Sequence, residues 1–275
     1  MLNKRILVPV DFSNCAIKAL KYAVVIAKRM KAEIMIMNAF YVPLAHAELD
    51  SGAIVHGLES DAGEDIKKSF EALRDKVPEL DEVPYDTITK YATVTDAVTS
   101  LCTSSHFDMI IMGTKGASGI EEVIIGTNAY AIIKEVNVPV IAVPDHIEPS
   151  NITKIALACD YKFMNENTLS SLTLIARLFG SEVHLFHVSE DRTITPEELE
   201  QAKKFERYFK NIRHKYDLVV NKDVEKGVEE YIQKNDIDLL ALVPRKHNLF
   251  DRIFRGGESK SIIFHAKVPI LALPE

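Results

Sequence analysis

The chain carries a second copy of its own pattern, and this repetition limits the possible fold more than any other feature. Lys4-Arg5-Ile6-Leu7-Val8-Pro9-Val10-Asp11-Phe12 is echoed by Lys154-Ile155-Ala156-Leu157-Ala158-Cys159-Asp160-Tyr161. Each is an apolar run that ends in Asp and then an aromatic residue. Phe107-Asp108-Met109-Ile110-Ile111-Met112 is echoed by Ile237-Asp238-Leu239-Leu240-Ala241-Leu242, and Val138-Pro139-Val140-Ile141-Ala142-Val143-Pro144 by Val268-Pro269-Ile270-Leu271-Ala272-Leu273-Pro274. Asp11 and Asp160 stand 149 residues apart, whereas the later pairs stand 130 apart, so the first half is 19 residues longer. The excess is expected within 41–60. A period this long is not a solenoid repeat. The reading is two tandem domains, 1–147 and 148–275, with a short polar joint at Asp145-His146-Ile147-Glu148-Pro149-Ser150-Asn151. A chain of 275 residues suits two domains of ordinary size.

Strand and helix patterns alternate within each half. Ile6 to Val10 is a short, nearly continuous apolar run, as in a strand buried on both faces. Ser13 or Asn14 can cap the helix that follows. Ala16, Leu20, Ala23, Val24 and Ala27 then recur at spacings of three and four, one helical face. Glu33 to Phe40 reads as a second strand, and Ile66, Phe70, Leu73 and Val77 as the next helical stripe. Thr87-Ile88-Thr89 marks a weak third strand, Val94, Ala97, Val98 and Leu101 another helix, and Met109 to Met112 a fourth strand. A Gly-rich loop, a helix from Thr127 to Glu135 and a fifth strand over Val138 to Val143 complete the half. The second half follows suit, with Leu199, Ala202, Phe205, Phe209 and Ile212 as its long helical stripe. Alternating strands and helices imply right-handed crossovers and an α/β fold with a parallel sheet covered on both faces.

Composition removes several functions. Lys and Arg total 33 against 40 Asp and Glu, a net charge of −7, so the positive field that nonspecific nucleic-acid or anionic-membrane binding requires is missing. No apolar run is long enough to span a membrane, and the opening segment does not resemble a secretory signal. The three cysteines, Cys15, Cys102 and Cys159, form no CxxC pair, which speaks against a disulfide framework and fits a reducing cytoplasm.

Open parallel sheets bind ligands beyond the carboxyl ends of their strands. Two features of the first half should meet there. One is Asp11, just past the first strand. The other is the loop after the fourth, Gly113-Thr114-Lys115-Gly116-Ala117-Ser118-Gly119, running on to Gly126-Thr127-Asn128. Glycines let backbone amides approach an anion, and a helix beginning at Gly126-Thr127-Asn128 offers free N–H groups and a favourable dipole to phosphate oxygens. Neither a Walker loop nor a GxGxxG fingerprint is present. Other candidates have plainer readings. Cys15 and Cys159 fit small buried hydrophobes better than redox centres. His46 and His56, with Glu48, Asp50 and Glu59 nearby, match no recognised zinc spacing. His184 and His187 are three apart on a strand, so they should point to opposite faces.

The chain resembles the universal stress protein superfamily in a tandem form. The resemblance rests on Val8-Pro9-Val10-Asp11-Phe12-Ser13, on the G-x2-G-x9-G-[ST] pattern of Gly113, Gly116, Gly126 and Thr127, and on the closing Val-Pro strand. It implies an adenine-nucleotide-binding α/β sandwich with strand order 3-2-1-4-5. It also implies that the two closing strands pair, making the chain an internal pseudo-dimer. Asp11 would hold the ribose beside Pro9, and backbone at Ala39 would meet adenine. Gly113, Gly116, Gly126, Thr127 and Asn128 would hold the phosphates of ATP, ADP or AMP, with Met112 and Lys115 nearby and Mg as counter-ion. The second half keeps Asp160 and Gly256 but places Val243, Lys246 and Gly257 where the first has Gly113, Gly116 and Thr127. Its phosphate cradle is therefore expected to be filled. Arg245, Lys246, His247, Arg252, Arg255 and Lys260 could hold another anion or form a solvated face. The expected function is a cytoplasmic stress-response protein, gated by ATP in its first domain and read by a partner protein. Association of two chains is left open. No general base stands near the loop, so rapid hydrolysis is not expected. The alternatives are a nucleotide-independent scaffold and a slow ATPase or metal-dependent hydrolase.

Overall fold

The computed structural model describes residues 4–40, 52–114, 126–158, 166–190, 200, 203, 206–244 and 268–274. In the first half the strands are β1 (Arg5–Pro9), β2 (Glu33–Ala39), β3 (Tyr85–Lys90), β4 (Met109–Gly113) and β5 (Val140–Val143). The helices between them are α1 (Asn14–Met30), α2 (Gly52–Lys76), α3 (Val94–Ser104) and α4 (Thr127–Glu135). The second half has β6 (Lys154–Ala158), β7 (Glu182–Ser189), β8 (His214–Val220), β9 (Leu239–Leu242) and β10 (Ile270–Ala272), with α5 (Glu166–Phe179) and α6 (Val224–Asn235).

All ten strands form one sheet in the order β3-β2-β1-β4-β5-β10-β9-β6-β7-β8. Each half is parallel with the expected 3-2-1-4-5 order, and the halves meet where β5 pairs antiparallel with β10. At that join Ile270 faces Ala142, Leu271 faces Ile141 and Ala272 faces Val140, all buried. The expected internal pseudo-dimer is therefore a continuous sheet.

The sequence explains why these segments take these forms. β1, β4, β5, β6, β9 and β10 are short apolar runs with both faces covered, so they have no polar face to show. In α1 the stripe from Ala16 to Ala27 is buried, and Ser13 caps the helix by accepting the Ala16 N–H at 3.2 Å. Lys31 ends it in the left-handed region, with φ 53°. One hydrophobic layer unites Leu20, Leu73 and Leu172 from α1, α2 and α5 on one sheet face. The other unites Val98, Ile132 and Val228 from α3, α4 and α6. Both layers run across the β5–β10 join.

Three details differ from the sequence reading. β5 begins at Val140 rather than Val138, since Pro139 has no N–H to give and contributes its carbonyl to Ile110 N instead. Val77 lies just beyond α2, still fully buried. The expected long helix of the second half does not run through to Ile212. Glu206–Phe209 is a 3-10 turn, and Asn211 takes φ 68°. Phe209 and Ile212 are still buried, so the apolar spacing marked burial and not helical continuity. Leu199, Ala202 and Phe205 lie outside the described residues. Of the 19-residue excess, 41–51 also lies outside them, and from Gly52 the chain is in α2.

Candidate functional site

A cavity of ≈ 420 Å³ opens at the carboxyl ends of β1, β2 and β4. It sits beside the point where the strand order reverses, the general ligand position in open α/β sheets, and its size is ordinary for a small-molecule site. The structure brings eight of the ten candidate residues together on its wall: Pro9, Asp11, Ala39, Met112, Gly113, Gly126, Thr127 and Asn128. The other two, Lys115 and Gly116, lie outside the described residues.

Asp11 leaves β1 into a tight turn. Its Oδ1 accepts from Ser13 N at 3.1 Å and Ser13 Oγ at 2.6 Å. Ser13 is thus both the cap of α1 and the support of the carboxylate. Between them Phe12 takes φ 61°, a costly conformation for an aromatic residue, and its ring meets Phe70 of α2 edge-on at 5.3 Å. The neighbouring backbone is pinned as well. Val10 N donates to Met37 O, and the buried amide of Asn38 donates to Val10 O, each at 2.8 Å.

The glycines have separate jobs. A Cβ on Gly113 would stand 2.7 Å from Cys15 Sγ and 3.1 Å from the Cys15 carbonyl carbon, so the glycine lets β4 pass the start of α1. Cys15 itself is buried, with Sγ 3.5 Å from Val143 O, as expected of a packing cysteine. Gly126 is the N-cap of α4 and offers no side-chain hydrogen bond. The first amides of α4 are therefore left to whatever occupies the cavity.

Residues that the sequence reading did not single out as ligand contacts also line the site. Thr93 caps α3, accepting Asp96 N at 3.2 Å while its Oγ1 donates to Asp96 Oδ2 at 2.7 Å. The Thr-x-x-Asp spacing is a capping-box signal that could have revealed it. Thr114 is 3% exposed and its Oγ1 has no hydrogen-bond partner among the described residues. A buried hydroxyl without a partner costs free energy unless a ligand or water supplies one. Asp11 is the one carboxylate among the described lining residues.

Of the matching region in the second half, Cys159, Asp160 and 245–267 lie outside the described residues; Val243 is seen just after β9. His46, Glu48 and Asp50 lie outside as well, and of His56 and Glu59 only the backbone in α2 is described. Among the described residues no group of three His, Cys, Asp or Glu could hold a metal ion, and no helix is long and apolar enough to cross a membrane. His184 and His187 do face opposite ways. His184 lies under α6, its Nδ1 3.3 Å from the Tyr231 hydroxyl and Nε2 3.2 Å from Glu182 Oε1, while Tyr231 also donates to Asp217. This buried network was missed. The two halves compared position by position reveal it, since His184, Asp217 and Tyr231 stand where the first half has Met35, Ile88 and Leu101.

Comparison with known proteins agrees with this architecture. The universal stress protein family matches residues 2–144. A universal stress protein of Methanocaldococcus jannaschii is 27% identical over 150 residues, 52% of this chain and 82% of that protein. The crystal structure of a universal stress protein from Archaeoglobus fulgidus DSM 4304 is similar in fold over 100% of this chain and 99% of its own, with TM-score 0.75 at 17% identity. A solved structure from Pseudomonas aeruginosa UCBPP-PA14 is similar over 99% of this chain and 93% of its own, with TM-score 0.61 at 13% identity. The whole length is thus accounted for as two domains of one architecture, and, with the family match covering just over half of it, the chain belongs to the universal stress protein family.

Proposed function

We propose that the first half binds an adenine nucleotide, ATP with Mg foremost, and that occupancy of this cavity regulates a partner protein. The observation that carries the reading is the uncapped start of α4 facing a ligand-sized cavity on whose other side stands Asp11. The phosphates take the free amides at Thr127 and Asn128, where the helix dipole favours negative charge. Asp11 accepts from the ribose hydroxyls, and the backbone end of β2 at Ala39 meets the base. Thr114 Oγ1 gains the partner it lacks. Magnesium, which chelates phosphate oxygens and neutralises part of their charge, enters on the nucleotide, because the described wall supplies no ligand cluster for it. The second half, with Val243 in place of a cradle glycine, does not bind in the same way.

Calorimetric titration of nucleotide-stripped protein with Mg-ATP tests this, beside a Thr127→Glu variant. Glutamate in a first helical turn favours the helix but repels phosphate, so the expected result is one site in the native chain and a loss of about tenfold or more in the variant, with melting unchanged. Equal binding by the variant, or none by the native protein, overturns the reading.

A further inference from the structure

Each half of the molecule is a control for the other. Register fixes the correspondence: Arg5 pairs with Glu33 as Lys154 pairs with Glu182, and Ile6 faces Met109 as Ile155 faces Leu239. Helices α1 and α5 also end alike, at Lys31 and Gly180, with φ 53° and 67°. Tyr22 of α1 therefore stands where α5 has Ser171, and Asp238 stands where the first half has Asp108.

Around Tyr22 the space is filled. The side chain is 2% exposed, and burial together with the Asp238 carboxylate pushes its phenol pKa up. Asp238 Oδ2 accepts from Thr153 N, Thr153 Oγ1 and Lys154 N at 2.6–2.9 Å. Arg29 covers the neighbouring Phe179 ring at 5.9 Å, and Ile152 is buried. At the related position, between α5 and the amino ends of β4 and β5, there is instead a cavity of ≈ 630 Å³. Met30, Phe107, Val138, Leu174 and Ile175 give it apolar walls, and Asp108 and Ser171 give it polar ones. Leu174 is 45% exposed on this wall. Asp108 Oδ2 accepts from Arg5 N at 2.8 Å, and its Oδ1 lies 3.7 Å from His106 Nε2; no hydroxyl reaches it among the described residues.

We propose that this cavity is a binding site for a small hydroxylated aromatic molecule, which puts a ring where the first half has that of Tyr22 and a hydroxyl beside Asp108. The ring lies among Met30, Phe107 and Ile175, and the hydroxyl donates to Asp108. Burying an aromatic ring is favourable, and its hydroxyl needs a partner once buried, which the carboxylate supplies. The volume lies in the range of ordinary small-molecule sites. The site is at the amino ends of the strands, uses no residue of the carboxyl-end cavity, and does not depend on the nucleotide reading.

The test uses the full chain and p-cresol, the tyrosine side chain as a free molecule, with toluene as its hydroxyl-free match. Native protein is expected to bind p-cresol saturably and melt at a higher temperature in its presence. Toluene binds about tenfold more weakly, the worth of one part-buried hydrogen bond to a charged acceptor. Ser171→Tyr fills the cavity, abolishes p-cresol binding and raises the melting temperature of the unliganded protein. Asp108→Asn removes the preference for p-cresol over toluene. If Ser171→Tyr does not fold, as read by circular dichroism, Leu174→Trp blocks the same cavity from its exposed wall. Absence of saturable p-cresol binding in the native chain, or binding undiminished in a folded filled variant, overturns the proposal.

Discussion

Gly113 shows how one residue can answer to two demands. In the sequence it is the first glycine of a phosphate-loop pattern. In the structure its missing Cβ makes room for Cys15, whose sulfur and backbone both lie within 3.2 Å of where that Cβ would be. Gly113→Ala is therefore expected to destabilise the unliganded protein by about 1–3 kcal/mol, the usual cost of overpacking. Cys15→Ala in the same chain should recover only part of the loss, because the Cys15 carbonyl carbon and oxygen remain. Urea unfolding of the single and double variants checks this; full recovery would show that the backbone contact can relax. Gly126 was legible as the start of a helix, since a helix cap without a side chain is a local feature. Thr114 was not, because burial without a hydrogen-bond partner is a property of the packed molecule and leaves no mark on the chain.

Among the elements, the strands were the most legible, whereas their order was implied only by the family resemblance. Runs such as Ile6–Val10 and Met109–Met112 need cover on both faces, and that need alone implies a parallel sheet with helices on either side. The helix stopping at Glu206–Phe209 was not legible, since the apolar spacing of Phe209 and Ile212 is satisfied by a 3-10 turn and a left-handed Asn211 as well as by α-helix. The network joining α6 to β7 and β8 was equally hidden, and it carries a pH dependence. Burial first, then the charge of Lys215, holds the His184 imidazole below its ordinary value, against the opposing pull of Glu182 and Asp217. The folded state thus prefers the neutral ring, and the unfolded chain takes up the proton first. Stability from this group is full above about pH 7.5 and declines as pH falls through the ordinary histidine value of 6.5 toward the lower folded one. His184→Met, which restores the residue found at the matching first-half position, should flatten that decline. Urea midpoints at about pH 7.5 and 5.5 decide it. An equal drop in the variant would assign the dependence to other groups.

At the scale of the whole molecule, the repeat foretold two domains and the family resemblance implied that their closing strands pair, but not how fully the two would merge. Both hydrophobic layers cross the β5–β10 join, and α1 of one half faces α5 of the other. The polar joint runs outside this core. It is tied by Lys18 to Glu148 and by Arg29 to Asn151, both exposed contacts of small worth. Cohesion must therefore come from the antiparallel strand pair and the apolar layers rather than from the covalent link. A chain cut at an inserted protease site between Glu148 and Pro149 should accordingly stay together. The two pieces are expected to elute as one species in gel filtration and to melt in a single transition, since neither half alone can cover the buried edge of β5 or β10. Cutting does remove the advantage of an intramolecular partner, so the melting temperature becomes dependent on concentration. Two pieces that separate and each melt cooperatively would show instead that the ten-stranded sheet is a docking of two self-sufficient domains.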